Sequence, residues 1–313
     1  MPGVGIIANP HSKLNRKNPK RQELLGYIAG SKGHLRITQN LKELDDAMQY
    51  FLKENIEILA ISGGDGTISK TLTAMYHCYK GKAPLPKIAV LGGGTINTLA
   101  QNLKCKARPE YNLYHLLQLH SSQSPLTEHR LSSLKISNNI GFLYADGVSA
   151  HFLEIFYRKK TNGWGAFWLI ARILASGVVN GRLFRSVVRA QMARICCNNS
   201  KYREKYSHVT SVLVSTIWKM PLGFRTFRLV KDQLGLHQTL VSNFSPRELL
   251  VAFLFYFLLL PQSSHPKKHT FLASALQLEY ERPFLYTLDG ELYKSADRSL
   301  NIDIGPEFTF VLA

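Results

Sequence analysis

Cysteine, acidic residues and long apolar runs are all scarce in this chain of 313 residues. Its four cysteines, two of them adjacent at Cys196 and Cys197, fit neither a disulfide framework nor metal-ligand spacing, which indicates a reduced intracellular protein. The longest apolar run, Leu249 to Leu260, has 12 residues, whereas a helix that spans a membrane needs about 20. Residues Met1 to Asn9 lack the basic and apolar regions of a secretory signal. We therefore expect a cytoplasmic protein that does not insert into membranes.

The shortage of acidic residues leaves a strongly basic chain. The 21 acidic residues face 39 lysines and arginines, which gives a formal net charge of +18 at pH 7. A basic surface attracts anionic partners such as nucleic acid, phosphate groups or acidic membrane leaflets. The sequence has no recognisable nucleic-acid-binding motif and its basic residues are dispersed, so no nucleic-acid partner is expected. It does not specify whether the protein is a homo-oligomer.

Length and composition favour a globular protein of two domains, with 45% hydrophobic and 19% charged residues. Residues 1 to about 120 alternate short β-branched runs with helical patterns, which is typical of a parallel sheet flanked by helices. From about residue 128, strand-like runs follow with few helices between them. The polar stretch Ser121 to Thr127 suits a linker. We therefore predict an α/β domain over residues 1–125 and a strand-rich domain over residues 126–313.

Local signals predict the individual elements. The predicted strands are Val4–Ala8, Leu35–Thr38, Ile58–Ile61 and Ile88–Leu91 in the first domain, and Leu131–Ile136, Gly141–Ala145 and Val209–Thr216 in the second. One helix is predicted from an Asn18 cap and Pro19 to about Gly30, and another from an Asn40–Glu43 capping box to about Asn55. Further helical patterns cover Thr67–Tyr79 and Ile96–Leu103.

Two apolar segments stand out in the second half of the chain. Trp164 to Val179 contains the single charge Arg172 and is followed by further arginines. It could contact a membrane, or it could be a buried helix with a solvated arginine face. The second segment, Ser245 to Pro261, begins with a helix cap and is apolar all round, which predicts a core helix or the lip of a substrate site rather than a surface anchor.

Two glycine loops follow predicted strands and precede helical patterns. They are Gly63 to Thr67 and Gly92 to Asn97. Backbone N–H groups in such turns can approach phosphate oxygens, and the helix directs its positive end at the same anion. Asp65 adds a carboxylate, as expected where Mg²⁺ or a hydroxyl proton is handled. The alternative is a tight turn with Asp65 as a helix cap. Neither loop fits the Walker or the dinucleotide-binding pattern.

Four motifs occur in a family-like order: Asn9 to Lys13, the complete GGDGT string Gly63 to Thr67, Gly93 to Ala100, and Thr287 to Glu291. Together they resemble the catalytic family of diacylglycerol kinases, which includes bacterial soluble lipid kinases and sphingosine kinases. NAD kinases are a more distant match, because they share GGDGT alone.

This resemblance implies an α/β nucleotide-binding lobe, a β-sandwich lobe for the lipid, and ATP with Mg²⁺ in the cleft between them, with residues after about 295 packing back onto the first lobe. It also implies nucleotide contacts from Asn9, Pro10, His11, Ser12, Lys13, Thr38, Gly63, Gly64, Asp65, Gly66, Thr67, Ile68, Ser69, Gly94, Thr95 and Asn97. Glu291 is assigned as the base, with Asp65 and Asp289 near Mg²⁺. The alternative for Asp289 to Glu291 is a β-turn.

Three departures from the family pattern concern acidic positions. Thr98 and Ser149 stand where aspartates are usual, and Leu234 to Gln238 lacks the acidic turn that holds a second Mg²⁺ in some bacterial members. That second metal is not expected here.

The resemblance thus predicts an ATP-dependent lipid kinase of phospholipid metabolism that acts on diacylglycerol or a related lipid alcohol, with sphingoid bases included. Such an enzyme would associate peripherally with an anionic membrane surface. One alternative is a nucleotide-binding, membrane-associated protein that has lost catalysis. NAD kinase is a lesser alternative, because no equivalent of its asparagine-rich segment is present.

Overall fold

The computed structural model describes residues 3–94, 97–105, 109–158, 163–179, 181–198, 204–221, 225–244, 248, 251 and 268–312. Its α-helices are α1 (Lys13–Lys17), α2 (Lys20–Ala29), α3 (Leu41–Lys53), α4 (Asp65–Tyr79), α5 (Thr98–Asn102), α6 (Pro109–Ser121), α7 (Val148–Arg158), α8 (Gly163–Val178) and α9 (Arg182–Val187).

The strands fall into an earlier and a later series. The earlier strands are β1 (Val4–Ala8), β2 (Gly33–Ile37), β3 (Ile58–Ser62), β4 (Lys87–Val90), β5 (Thr127–Ile136), β6 (Asn139–Gly141), β7 (Leu143–Asp146) and β8 (Gln191–Cys197). The later strands are β9 (Glu204–Val209), β10 (Ser211–Ser215), β11 (His237–Ser242), β12 (Lys268–Ala273), β13 (Ala275–Tyr280), β14 (Leu285–Leu288), β15 (Glu291–Lys294) and β16 (Ser299–Leu312).

The chain divides into two compact units, and each is built from more than one segment. The first unit takes residues 1–142, 216–235 and 304–313, and the second takes residues 143–215 and 236–303. The two units do not match the single domain boundary that was predicted after residue 125. The reason lies in strand pairing, because β5 and β6 pair within the first unit and the end of β16 pairs with β4.

The first unit is a parallel sheet with helices on both faces. The strand order β2-β1-β3-β4 continues with Phe310 and Val311 of β16, which lie parallel to β4. Every residue of β1 and β3 is buried, as expected for strands covered on both faces. Helices α3 and α4 pack on one face through residues such as Phe51 and Leu72. Helices α2 and α6 pack on the other through residues such as Leu25 and Leu116.

Helix starts in the first unit show one prediction confirmed and one wrong. The Asn40 side chain accepts a hydrogen bond from the Glu43 N–H at 3.0 Å, so the predicted Asn40 cap is confirmed. The Glu43 carboxylate accepts from the Gln39 N–H at 2.7 Å, one residue before the N–H that a capping box would use. The Asn18 cap was a wrong prediction. Helix α2 begins at Lys20 without a side-chain cap, because Asn18 ends α1 instead, with its N–H bonded to the Leu14 carbonyl.

Among its described residues, the second unit contains antiparallel sheet and the helices α7, α8 and α9. One sheet has the order β12-β11-β10-β7-β14-β15, and elsewhere in the unit β13 lies between β8 and residues 299–303 of β16. The predicted class, α/β followed by antiparallel β-structure, is confirmed. The expectation of few helices between these strands was incomplete, since α7, α8 and α9 follow one another between β7 and β8.

Within the described residues, no helix combines the length and the apolar character needed to cross a bilayer. The apolar segment Ser245 to Pro261 falls almost wholly outside the described residues.

Candidate functional site

The first unit has a change of direction in its strand order. The chain passes from β1 to β2 on one side, and β3 then lies on the other side of β1. In open parallel sheets, ligands bind beyond the carboxyl ends of the strands where the order reverses in this way. The loops that follow β1 and β3 meet at this position, and both were singled out as nucleotide loops by their sequence.

Asn9 ties these two loops together. Its backbone N–H donates to the Ser62 carbonyl at 3.1 Å, and its Nδ2 donates to Thr67 Oγ1 at 2.8 Å. Its Oδ1 accepts from the His11 N–H at 2.9 Å, and its carbonyl accepts from Asn15 Nδ2 at 2.8 Å. The amide side chain therefore fixes the turn after β1 against the first turn of α4.

The glycines allow the two glycine loops to touch through their backbones. A Cβ atom on Gly94 would lie 2.5 Å from the Gly64 Cα, and one on Gly93 would lie 3.0 Å from the Gly63 nitrogen. Gly93 also has φ of +149°, which disfavours any side chain. Gly92, with φ of +82°, has no described atom within 4 Å of such a Cβ, so the backbone there faces open space.

Asp65 connects the same loops by a different interaction. Its Oδ2 accepts a hydrogen bond from the Thr98 N–H at 2.9 Å and its Oδ1 accepts one from the Leu99 N–H at 3.1 Å. Asp65 is thus the first residue of α4 and also caps the amino end of α5. Asn97 holds the connecting turn in the left-handed region, with its Oδ1 accepting from the Gly94 N–H at 2.8 Å. A carboxylate has further lone pairs for a metal or a donor.

Three buried polar atoms near the loops have no hydrogen-bond partner among the described residues. They are Ser12 Oγ, Asn15 Oδ1 and Ser62 Oγ. A buried polar atom left unpaired costs about 1–3 kcal/mol, so such atoms are usually satisfied by water or by a bound group. The two serine hydroxyls, at the carboxyl ends of β1 and β3, can donate to an anionic ligand such as a phosphate, whereas Asn15 Oδ1 accepts and needs a donor such as water.

The remaining predicted nucleotide residues have varied surroundings. Ile68 lies in the hydrophobic core, and Ser69 Oγ donates to the Ile140 carbonyl at 2.6 Å, so both side chains support the fold. Thr38 is buried just beyond β2, where its N–H donates to the Ala8 carbonyl. Lys13 begins α1 with an exposed side chain, and Thr95 lies outside the described residues.

In the second unit, Asp289 and Gly290 form the two-residue turn of a tight hairpin. Leu288 pairs with Glu291, and the turn residues have φ of +50° and +84°. Positive φ at both positions is typical of a type I′ turn, for which Asp-Gly is a favoured pair. The predicted β-turn alternative for this motif therefore describes its backbone, and the turn sets the position of Glu291.

The hairpin turn is held firmly within the second unit. Asp289 Oδ1 accepts from the Leu143 N–H at 2.9 Å, and the Asp289 N–H donates to the Leu143 carbonyl at 2.9 Å. The Tyr157 hydroxyl donates to the Gly290 carbonyl at 2.7 Å. Burial raises the pKa of the Tyr157 and Tyr293 phenols, and the nearby charge of Glu291 raises both further. These phenols stay protonated as hydrogen-bond donors beside Glu291.

Asp146, at the end of β7, is a buried acidic residue that the motifs did not reveal. Its Oδ1 accepts from the Val212 N–H at 2.6 Å, and its Oδ2 accepts from the hydroxyls of Tyr144 at 2.9 Å and Tyr280 at 2.7 Å. Burial raises the pKa of Asp146 to about 6. The available signal was an aspartate closing the apolar run from Ile140 to Ala145.

Sequence and structure comparisons agree with the motifs. Residues 3–128 match the family model of the diacylglycerol kinase catalytic domain, which confirms the predicted family resemblance. No curated protein matches the chain in sequence. Among solved structures, a diacylglycerol kinase from Bacillus anthracis str. Sterne is 15% identical with a TM-score of 0.65, and the alignment covers 99% of this chain and 97% of that chain.

Two further structures from that organism, provisionally assigned as diacylglycerol kinases, have the same coverage. One is 16% identical with a TM-score of 0.70, and the other is 15% identical with a TM-score of 0.71. At this identity the likeness shows a shared fold over nearly the whole chain.

Proposed function

Because residues 3–128 match the diacylglycerol kinase catalytic domain, we propose that the chain is an ATP-dependent lipid kinase. It transfers the γ-phosphate of ATP to the hydroxyl of diacylglycerol or a related lipid alcohol. The observation that carries the proposal is the paired glycine loops at the reversal of strand order, with three unpaired buried polar atoms beside them. Its lipid substrate places the enzyme peripherally on an anionic membrane, on the cytoplasmic side.

The first unit would bind the nucleotide phosphates. Backbone N–H groups around Gly64 and Gly92, together with the amino end of α4, offer donors and a positive helix end to an anion. Of the three residues with these unpaired atoms, Ser12 is the least buried as a whole. Bound Mg²⁺ would neutralise charge on the phosphate oxygens, and such ions are held by one or two carboxylates in addition to the phosphates. Asp65 is the carboxylate of this unit assigned to it.

The second unit would supply the base. Glu291 is only partly exposed and is held by a hairpin turn that has little freedom. We assign it to accept the proton of the lipid hydroxyl as that oxygen attacks phosphorus. Asp289 uses one carboxylate oxygen to bond the Leu143 N–H, so its main role is to position the turn, and any metal contact would use its other oxygen.

The proposal is tested by incubating purified protein with labelled ATP, Mg²⁺ and mixed micelles that contain diacylglycerol. Product formation is expected, and Glu291→Gln should lower the rate by about 10²- to 10⁴-fold, the usual contribution of a general base. Glu281→Gln, an exposed change in the same unit, serves as the control and should keep the parent rate.

Two outcomes would overturn this assignment. If ATP stabilises the protein against heat but no lipid is phosphorylated, the chain is a nucleotide-binding protein without catalysis. This alternative is worth testing because Thr98 stands where the family usually has an aspartate. Phosphorylation of NAD in a parallel reaction, with no lipid product, would identify an NAD kinase.

A further inference from the structure

The acidic residues of this chain are unevenly distributed, although its basic residues are dispersed. Between Ile155 and Arg203 there is no aspartate or glutamate, and the same 49 residues contain ten lysines and arginines. Ordinary surface segments mix both signs of charge. This stretch, which includes α8 and α9, is therefore a local source of much of the net positive charge.

Helices α7, α8 and α9 pack around a small core of their own. On α8 the inward residues are Leu169 and Ile173, one turn apart, and they pack with Phe184 and Val187 of α9 and Val148 of α7. This core buries only one side of α8. The structure therefore shows a helix with one buried face and an exposed face that carries Arg172.

The other side of α8 presents apolar residues to solvent. Trp168 is 65% exposed, Val178 is 75% exposed, and Val179 directly after the helix is 77% exposed. Trp168, Arg172, Ala175 and Val179 are spaced by four, three and four residues, which places them along one stripe. A tryptophan with aliphatic neighbours on an exposed stripe is unusual for a surface that contacts only water.

Four exposed arginines belong to the same part of the chain. Arg172 lies within the stripe, and Arg182, Arg185 and Arg189 follow on and just after α9, which packs against α8. In the part of the chain that the structure describes, none of the four forms an ion pair. We call the combined surface the α8–α9 outer face, comprising Trp168, Arg172, Ala175, Val178, Val179, Arg182, Arg185 and Arg189.

We propose that the α8–α9 outer face docks the second unit on a bilayer that contains anionic phospholipid. Tryptophan and aliphatic side chains enter the headgroup boundary, while arginines remain with the lipid phosphates. Nucleic acid would account for the arginines but not for the exposed valines. A second copy of the face would place like charges against each other. The inference rests on the proposed function in one respect, because an enzyme with a lipid substrate needs to reach a membrane.

The first test measures co-sedimentation of the full chain with phosphatidylcholine vesicles that contain or lack phosphatidylglycerol, without nucleotide. Binding is expected only with phosphatidylglycerol and should weaken as salt rises. Each arginine near such a surface contributes about fivefold in affinity, so combined Arg172→Gln, Arg182→Gln and Arg185→Gln should weaken binding about 100-fold. The matched control, Lys42→Gln, Lys53→Gln and Lys82→Gln, removes equal charge from exposed positions of the first unit.

The second test asks whether Trp168 enters the lipid. Vesicles with brominated acyl chains should quench tryptophan fluorescence of the parent protein, and Trp168→Phe should lose most of that quenching while it still sediments with vesicles. Tyr27→Ala, at a side chain that is 87% exposed in the first unit, should change neither signal.

Several results would overturn the docking proposal. These are equal loss of binding in the lysine control, quenching that Trp168→Phe leaves intact, or binding of duplex DNA at the affinity found for vesicles. Failure of the kinase proposal is a separate result, because sedimentation needs no turnover. If both proposals hold, the triple arginine variant should lose activity on vesicle-embedded diacylglycerol and keep it on a short-chain, water-soluble one.

Discussion

The glycine loops of the first unit and the Asp146 cluster of the second bury polar side chains in opposite ways. Around the loops, Ser12 Oγ, Asn15 Oδ1 and Ser62 Oγ lack partners among the described residues. At Asp146, a fully buried carboxylate accepts three hydrogen bonds from two tyrosines and one backbone N–H. Burial and charge therefore do not identify a binding site by themselves. Unpaired buried polar atoms also occur elsewhere in the described residues, such as His237 Nε2, and what distinguishes the loops is that three of these atoms lie beside two glycine turns.

Glycines in the two regions differ in the space that surrounds them. Gly92 in the first unit has φ of +82° and open space where a Cβ would be. Gly147 in the second unit has φ of +56°, and a Cβ there would lie 2.0 Å from the Thr210 carbonyl oxygen. One glycine leaves room for a ligand, whereas the other allows two protein segments to pack closely.

The largest expected effect comes from exchanging these glycines for alanine. Gly147→Ala should destabilise the protein by about 3 to 5 kcal/mol, because it adds a steric clash to left-handed strain. Gly92→Ala should cost about 1 to 2 kcal/mol, from the strain alone. Urea unfolding of both variants measures the difference. Equal losses would show that the contrast between an open and a closed glycine is mistaken.

A second effect concerns pH and the Asp146 carboxyl. Its pKa rises from 3.8 to about 6 on folding, so the native state holds a proton that the unfolded state has released. That stabilisation is complete below pH 3.8 and is lost as pH rises through 6, a change of about 3 kcal/mol. Relative to Asp146→Asn, the parent should therefore lose about 3 kcal/mol of unfolding free energy between about pH 4 and pH 7.

His237 acts in the opposite direction in the same unit. Burial lowers its pKa from 6.5 to about 4, so its contribution is present above pH 6.5 and is lost as pH falls through 4. The two groups should partly offset each other between about pH 4 and pH 6. The comparison that isolates the histidine is His237→Gln, relative to which the parent should instead gain stability as pH rises. Parallel pH profiles for the parent and both variants would contradict the assignment.

The smallest effect compares two fully buried serines. Ser62 Oγ has no partner among the described residues, whereas Ser133 Oγ donates to the Pro306 carbonyl at 2.7 Å. Without nucleotide, Ser62→Ala should be neutral or stabilising by about 1 kcal/mol, and Ser133→Ala should be destabilising by about 1 kcal/mol. Ser62→Ala should also reduce the thermal shift that ATP produces. An unchanged ATP shift would remove Ser62 from the proposed site.

Local sequence signals predicted what depends on neighbouring residues. The Asn40 cap of α3 and the end of α2 at Gly30, which has φ of +49°, follow from local chemistry within one turn. The prediction for Asn18 was wrong because this residue lies between two adjacent helices. It ends α1 and does not start α2. Helix α7 was not predicted, because its apolar and aromatic residues also suit a strand.

Non-local contacts were beyond the reach of such signals. The motif drew attention to Asp65, but only the folded chain shows that its carboxylate caps α5 across the glycine loops. Asp146 was missed entirely, because two of its partners, Val212 and Tyr280, come from distant strands. The roles of Glu291, Asp65 and Asp289 in catalysis remain predictions, and the Glu291→Gln assay tests the first of them.

Strand β16 has a consequence for how the protein is made. Its residues Phe310 and Val311 pair with β4, so the sheet of the first unit is completed only after the entire second unit has been synthesised. Until then β4 has an unpaired edge, and such edges readily pair with other chains. Ribosome-bound chains that stop before residue 304 should therefore need chaperone protection, and the candidate site of the first unit would form late in biogenesis.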